Sequence, residues 1–175
     1  MRGGASAAVL FVKTLVFTVL VPGSVAGLVP YRIAQGILEW PRVDPLRLVV
    51  AAPCFLVGAA VYFWCLWDFA VTGRGTPAPI DPPRELVVRG LYRCVRNPMY
   101  LGVLLVIAGW TVLSWSGRML GYGVAVALLF HLFVRLVEEP LLRRRFGAAY
   151  EAYCRTVGRW LPGGVDFGRG RSTTP

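Results

Sequence analysis

The chain has 175 residues, 56% of them hydrophobic and only 16% charged, with a net charge of +10. Soluble domains carry about 25% charged residues, so this composition rules out intrinsic disorder and argues against a water-soluble globule. Mean hydropathy is +0.59, and the basic residues, all arginine except Lys13, sit between long apolar runs, which fits a membrane protein rather than a nucleic-acid partner.

A transmembrane helix needs about 20 mostly apolar residues. The first such run is 7–29, where Lys13 can snorkel and Pro22 and Gly23 can kink the helix. The second is 46–71, reached through a link that holds Tyr31 and Trp40 as interfacial aromatics. Residues 72–97 are rich in Pro and Gly and carry five arginines. The third and fourth runs, 98–115 and 119–137, are separated only by Ser116, Gly117 and Arg118, which predicts a tight antiparallel helical hairpin. Beyond them Leu141, Leu142, Phe146, Ala149, Tyr150 and Tyr153 recur at helical spacing opposite Arg143, Arg144 and Glu151. That pattern predicts an amphipathic helix lying at the interface or capping the bundle. Residues 163–175 read as a flexible tail.

The expected architecture is therefore an all-α integral membrane protein. It has one domain, 1–162, with about four transmembrane helices and a C-terminal interfacial helix. The long first run has no small-residue cleavage signal, so it is expected to be retained. With the N-terminus inside, thirteen arginines fall in inner segments and four (Arg32, Arg42, Arg47, Arg118) in outer ones, which predicts both termini on the cytoplasmic side. The preference for arginine over lysine, with abundant Ala, Gly and Val, points to a bacterial cytoplasmic membrane. Four scattered cysteines (Cys54, Cys65, Cys94, Cys154) and a single histidine, His131, leave no ligand set for a metal site and little support for a Ser–His–Asp or Cys–His nucleophile.

Two segments are unlike ordinary membrane linkers. In GLYRCVRNPMYLG, residues 90–102, Pro98 suits the first turn of a helix and Asn97 its N-cap. That helix start offers free N–H groups to a carboxylate or phosphate, with Arg93 and Arg96 beside it, and Tyr92 and Tyr100 offer π faces to a cation. The same residues would also serve as an Arg/Tyr belt at lipid headgroups. In HLFVRLVEEP, residues 131–140, His131, Arg135, Glu138 and Glu139 lie three or four apart. They form either a ligand site at membrane depth or an Arg135–Glu139 pair with His131 bonded to a neighbouring carbonyl.

The pattern Gly90-x-Tyr92-x-x-x-Arg96-Asn97-Pro98-x-Tyr100-x-Gly102 resembles a segment of isoprenylcysteine carboxyl methyltransferase-like membrane proteins. Glu138-Glu139, Phe146-Gly147-x-x-Tyr150-x-x-Tyr153 and Trp160-Leu161-Pro162 resemble their closing segment, and phospholipid N-methyltransferases share a related pattern. The resemblance covers about 46–162. It implies S-adenosylmethionine as cofactor on the cytoplasmic side, contacted by Arg84, Glu85, Leu86 and Val87, then Tyr92, Asn97, Pro98, Tyr100 and Glu138. Glu138 would accept from ribose hydroxyls or from the cofactor's ammonium. Glu139 is left to pair with Arg135 or Arg143.

Two positions depart from the pattern. Asn97 stands where many members have His, and the substrate-binding Arg expected one turn before the motif Glu is replaced by Val134, with Arg135 one residue on. Arg135 and His131 are the candidates for orienting a methyl acceptor. The function implied is methyl transfer to a lipid-like or prenylated acceptor in the bilayer, such as a prenylcysteine carboxylate. Phospholipid N-methylation is the alternative enzyme reading, and a non-catalytic scaffold of the same fold is the non-enzyme one. A related-looking group of NADPH-dependent sterol reductases is more remote.

Overall fold

A computed structural model describes residues 16–36, 44–69 and 86–162. The start of the first apolar run, Trp40, most of the 72–97 linker with Arg84 and Glu85, and the 163–175 tail lie outside them.

Helix α1 runs Val16–Gln35, α2 Pro45–Asp68, α3 Pro98–Ser114 and α4 Gly117–Phe133. The last continues through a π turn, Val134–Glu138, into α5, Glu139–Phe146, and α6 is Ala148–Thr156. No strand occurs among the described residues; one isolated parallel bridge joins Val95 to Gly158. Three helical stretches, Val16–Gln35, Pro45–Asp68 and Gly117–Phe146, are long and apolar enough to cross a membrane. The chain is an all-helical integral membrane protein. The 17 residues of α3 extend only about 25 Å at ~1.5 Å per residue, short of a hydrocarbon core of about 30 Å. The structure thus gives three full-length candidate spans and one shorter apolar helix.

That shorter helix is the central one. Its Val103 and Ile107 are buried with Tyr62 of α2 and Val126 of α4. The α2–α3 contact is so close that a Cβ on Gly102 would come within 2.8 Å of the Gly58 carbonyl oxygen, and one on Gly58 within 2.7 Å of that of Gly102. Small residues permit this approach, the usual means by which apolar helices gain packing contacts in lipid. The α3–α4 hairpin turns at Trp115, the one described non-glycine residue with positive φ, and Ser116 Oγ then accepts from Arg118 N–H to start α4.

Helix α1 is tied on by a backbone irregularity. Its π turn, Ser24–Leu28, presents the Val25 and Ala26 carbonyls, which accept from Tyr122 Oη at 2.7 Å and Trp110 Nε1 at 3.0 Å. The second π turn precedes Pro140, which has no N–H to give the Leu136 carbonyl; Glu139 N–H reaches back five residues to Val134 instead. This shift turns the Glu138–Glu139 pair into the bundle end. The amphipathic stretch is not one helix: Gly147, at φ +49°, divides α5 from α6, a conformation open to glycine at little cost.

Candidate functional site

At the bundle end where the α3 start meets the α4–α5 junction lies a cavity of about 580 Å³. One wall is apolar: Phe17 and Val21 of α1, Leu129, Phe130 and Phe133 of α4, Val134 and Val137 of the π turn, and Leu141, Leu142 and Phe146 of α5. The other end is polar, formed by Tyr92, Arg96, Asn97, Tyr100, Glu138, Glu139, Tyr150 and Tyr153. Leu129, Val137 and Leu141 of the wall are themselves exposed, so the cavity is continuous with the apolar surface of the bundle.

The two motif glutamates do different work. Glu138 Oε2 accepts from Tyr100 Oη at 2.9 Å and has no cationic partner among the described residues. Glu139 is buried and holds two arginines. Its Oε1 accepts from Arg96 Nη1 at 3.1 Å and Arg159 Nε at 2.6 Å, and its Oε2 from Arg159 Nη2 at 2.9 Å. The expected pairing with Arg135 or Arg143 is corrected: Arg135 is exposed, and Arg143 pairs with Glu151 at 3.3 Å. The π turn explains this, because it rotates Glu139 inward, away from the surface arginines of its own helix.

Asn97 is also corrected in role. It precedes α3 as the N-cap, with Pro98 following, but its side chain makes no capping bond. Asn97 Nδ2 donates instead to the Arg159 carbonyl at 3.1 Å. A capping side chain would accept from the second or third N–H of α3; the Asn97 amide instead serves the Arg159 carbonyl of the closing segment.

The segment Val157–Trp160 thus straps the site. Arg96 N–H donates to the Gly158 carbonyl at 2.8 Å, alongside the Val95–Gly158 bridge. Trp160 Nε1 donates to His131 Nδ1 at 3.1 Å and its ring meets the edge of Tyr100. Tyr153 Oη donates to the Tyr92 carbonyl at 2.5 Å. Burial pushes the Tyr92 and Tyr153 hydroxyls up from their ordinary range, so both remain neutral hydrogen-bond donors.

Of the residues singled out from sequence, Leu86, Val87, Tyr92, Asn97, Tyr100 and Glu138 line this one cavity. Pro98 is fully buried beside it at the start of α3. Arg84 and Glu85 lie outside the described residues. His131 and Arg135 are not in the lining; His131 faces Trp160 of the strap. The sequence reading missed the roles of Arg159 and Glu139 as the site's internal ion pair. Trp160-Leu161-Pro162 in the closing motif was the available signal. It also missed Phe17 and Val21, because nothing in a uniformly apolar run says which face meets a cavity.

The site is thus an apolar cavity in a helical membrane bundle that ends in a polar cluster built from both sequence motifs. Over residues 46–149 the chain matches the family described as phospholipid methyltransferase, and it belongs to that family. The match covers most of the stretch over which the motifs resemble membrane methyltransferases. A Delta(14)-sterol reductase of Mus musculus is 32% identical over 93 residues, which is 51% of this chain and 22% of the reductase. The chain therefore spans under a quarter of the length of that curated relative. No solved structure matches.

Proposed function

We propose that the protein transfers a methyl group from S-adenosylmethionine to a lipid-like acceptor, with an aminophospholipid favoured over a prenylcysteine carboxylate. The observation that carries this reading is the cavity itself, apolar along one wall and polar at the end built from the two family motifs. The residues present fit the cofactor. Arg96 Nε is a buried donor without a partner, suited with Asn97 to a carboxylate. Glu138, paired only with a neutral tyrosine, suits ribose hydroxyls or an ammonium. Tyr92 and Tyr100 supply aromatic faces for a sulfonium.

When bound, S-adenosylmethionine supplies an already activated methyl group, so no protein nucleophile is needed. The chain's part is to align, to exclude water and to balance charge. Phe130, Phe133, Val134 and Leu142 keep the reacting end dry. The strap fixes Arg96 and Asn97 against the start of α3 and so sets where the cofactor's carboxylate would rest.

The preference for an amine acceptor rests on charge. Among the described lining residues the single arginine, Arg96, is already matched by Glu139, while Glu138 has no cation opposite it. With the cofactor's ribose hydroxyls on Glu138 its charge stays uncompensated, which would repel a carboxylate acceptor and attract an amine. Arg135 and His131 remain candidates for acceptor orientation from the sequence pattern. We place the protein in the cytoplasmic membrane of a bacterium with the cavity and both termini facing the cytoplasm; the arginine distribution supports the orientation and the arginine-over-lysine composition supports the source.

The test incubates membranes containing the protein with methyl-labelled S-adenosylmethionine and follows label into extracted lipids. Label in methylated aminophospholipid supports the reading; label in carboxyl methyl esters moves it to a prenylcysteine-like acceptor. Binding of NADPH with no binding of S-adenosylmethionine would replace it with reductase chemistry. Binding of neither would leave the scaffold reading.

A further inference from the structure

We infer that Arg145 binds the phosphodiester of the lipid acceptor at the outer rim of the cavity. This rests on the aminophospholipid reading and adds the group that recognises the acceptor's phosphate.

The argument starts from the pitch of α5. Leu141, Leu142 and Phe146 line the cavity. At ~100° per residue, Leu142 and Phe146 lie about 100° and 140° round from Leu141, and Arg145 about 40°, within the same sector. Arg143 and Arg144 lie about 200° and 300° round, on the outer side. Arg145 is exposed, one turn beyond Leu141 and Leu142, and its guanidinium carbon stands 5.7 Å from the centre of the Phe146 ring. It therefore continues the cavity-lining stripe outward as a cation at the rim.

Of the neighbouring arginines, Arg144 is exposed on the outer side of α5 and the others are engaged. Arg96 and Arg159 share Glu139, and Arg143 pairs with Glu151. No carboxylate among the described residues lies within ion-pair distance of Arg145. A guanidinium presents paired N–H donors in a plane that matches two phosphate oxygens. Helical side chains lean toward the helix N-terminus, so Arg145 reaches back along α5 toward the level of Glu138. The acyl chains would then lie along the apolar wall, the phosphodiester at Arg145, and the ethanolamine would fold back toward Glu138, which sits between Val137 and Leu141 along the helix.

The experiment measures the affinity of dihexanoylphosphatidylethanolamine for the purified protein in detergent, for wild type, Arg145→Gln, Arg145→Lys and Arg144→Gln, each with its affinity for S-adenosylmethionine. Arg145→Gln should weaken lipid binding about tenfold, as loss of one charge-assisted hydrogen bond does. Arg145→Lys should recover part of it. Arg144→Gln should match wild type, and cofactor affinity should be the same in all four. Equal lipid affinity of wild type and Arg145→Gln would overturn the assignment. So would equal losses in Arg145→Gln and Arg144→Gln, which would mean diffuse attraction to a basic surface. Displacement of the lipid by equimolar inorganic phosphate would assign Arg145 to a free anion instead, and a wild type that does not take up the lipid also overturns it. The cofactor affinities decide separately whether the methyltransferase reading stands.

Discussion

Glu139 and Arg159 form a two-point ion pair, Nε to Oε1 at 2.6 Å and Nη2 to Oε2 at 2.9 Å, and Glu139 holds Arg96 through the same oxygen at 3.1 Å. One buried carboxylate thus ties the start of α5 to the strap and to the segment leading into α3. The three elements that carry the family motifs converge on this residue, and the polar end of the cavity depends on it.

Glu139→Gln should accordingly destabilise the fold rather than pass unnoticed as loss of a surface helix pair would. It leaves the largely buried Arg96 and the partly exposed Arg159 without their counter-charge, a change that costs about 1.5–3 kcal/mol. Reversible unfolding in mixed micelles, followed by circular dichroism, checks this. A loss of under about 0.5 kcal/mol, typical of exposed pairs, would place Glu139 at the surface.

Asn97→Ala should cost about 1–3 kcal/mol, because the Arg159 carbonyl would lose the buried donor facing it. Asn97→His, which keeps an N–H donor, should lie closer to wild type in the same unfolding measurement and in cofactor affinity. Equal stability of all three proteins would show that the strap does not rely on this contact.

Gly102→Ala should be among the most damaging single-methyl additions, since the new Cβ would fall 2.8 Å from the Gly58 carbonyl oxygen. Overpacking of this kind costs about 1–3 kcal/mol. Gly121→Ala, whose Cβ would meet nothing within 4 Å, is the control and should leave the melting temperature unchanged. Equal melting temperatures for both variants would contradict the close α2–α3 approach.

The orientation drawn from the arginine distribution has its own check. A cysteine at position 75, in a background without the native cysteines, should resist an impermeant thiol reagent on intact cells and react after permeabilisation. Reaction from outside would reverse the topology.

Much of this arrangement was legible in the sequence. Apolar run lengths predicted the helices, the Ser116–Arg118 break predicted the hairpin, and the family resemblance grouped Tyr92, Asn97, Tyr100 and Glu138, residues that share one cavity. What was not legible depended on backbone irregularity and on long-range contacts. Periodicity assumes ideal helices, so the π turn before Pro140 and the Gly147 break changed which way Glu139 points and divided the interfacial helix. Local spacing suggested Arg135 or Arg143 as partners for Glu139; the actual partners come from 43 residues before it and 20 after it. Asn97 had the right residue type for a cap, yet the strap offered its side chain the Arg159 carbonyl, a partner 62 residues away that no local rule could supply.

The most direct test of the central claim is the calorimetric affinity of S-adenosylmethionine for wild type and Glu138→Gln in nanodiscs, with thermal melts confirming that both are folded. Glu138 meets only the Tyr100 hydroxyl, so its neutral isostere should keep the fold and lose a charge-assisted bond to the cofactor. That loss is worth about 1.5–3 kcal/mol, roughly ten- to more than a hundredfold in affinity. Measurable wild-type binding with a loss of that size in Glu138→Gln is the predicted result. Unchanged affinity in a folded Glu138→Gln, or a folded wild type that binds no S-adenosylmethionine, would contradict the account.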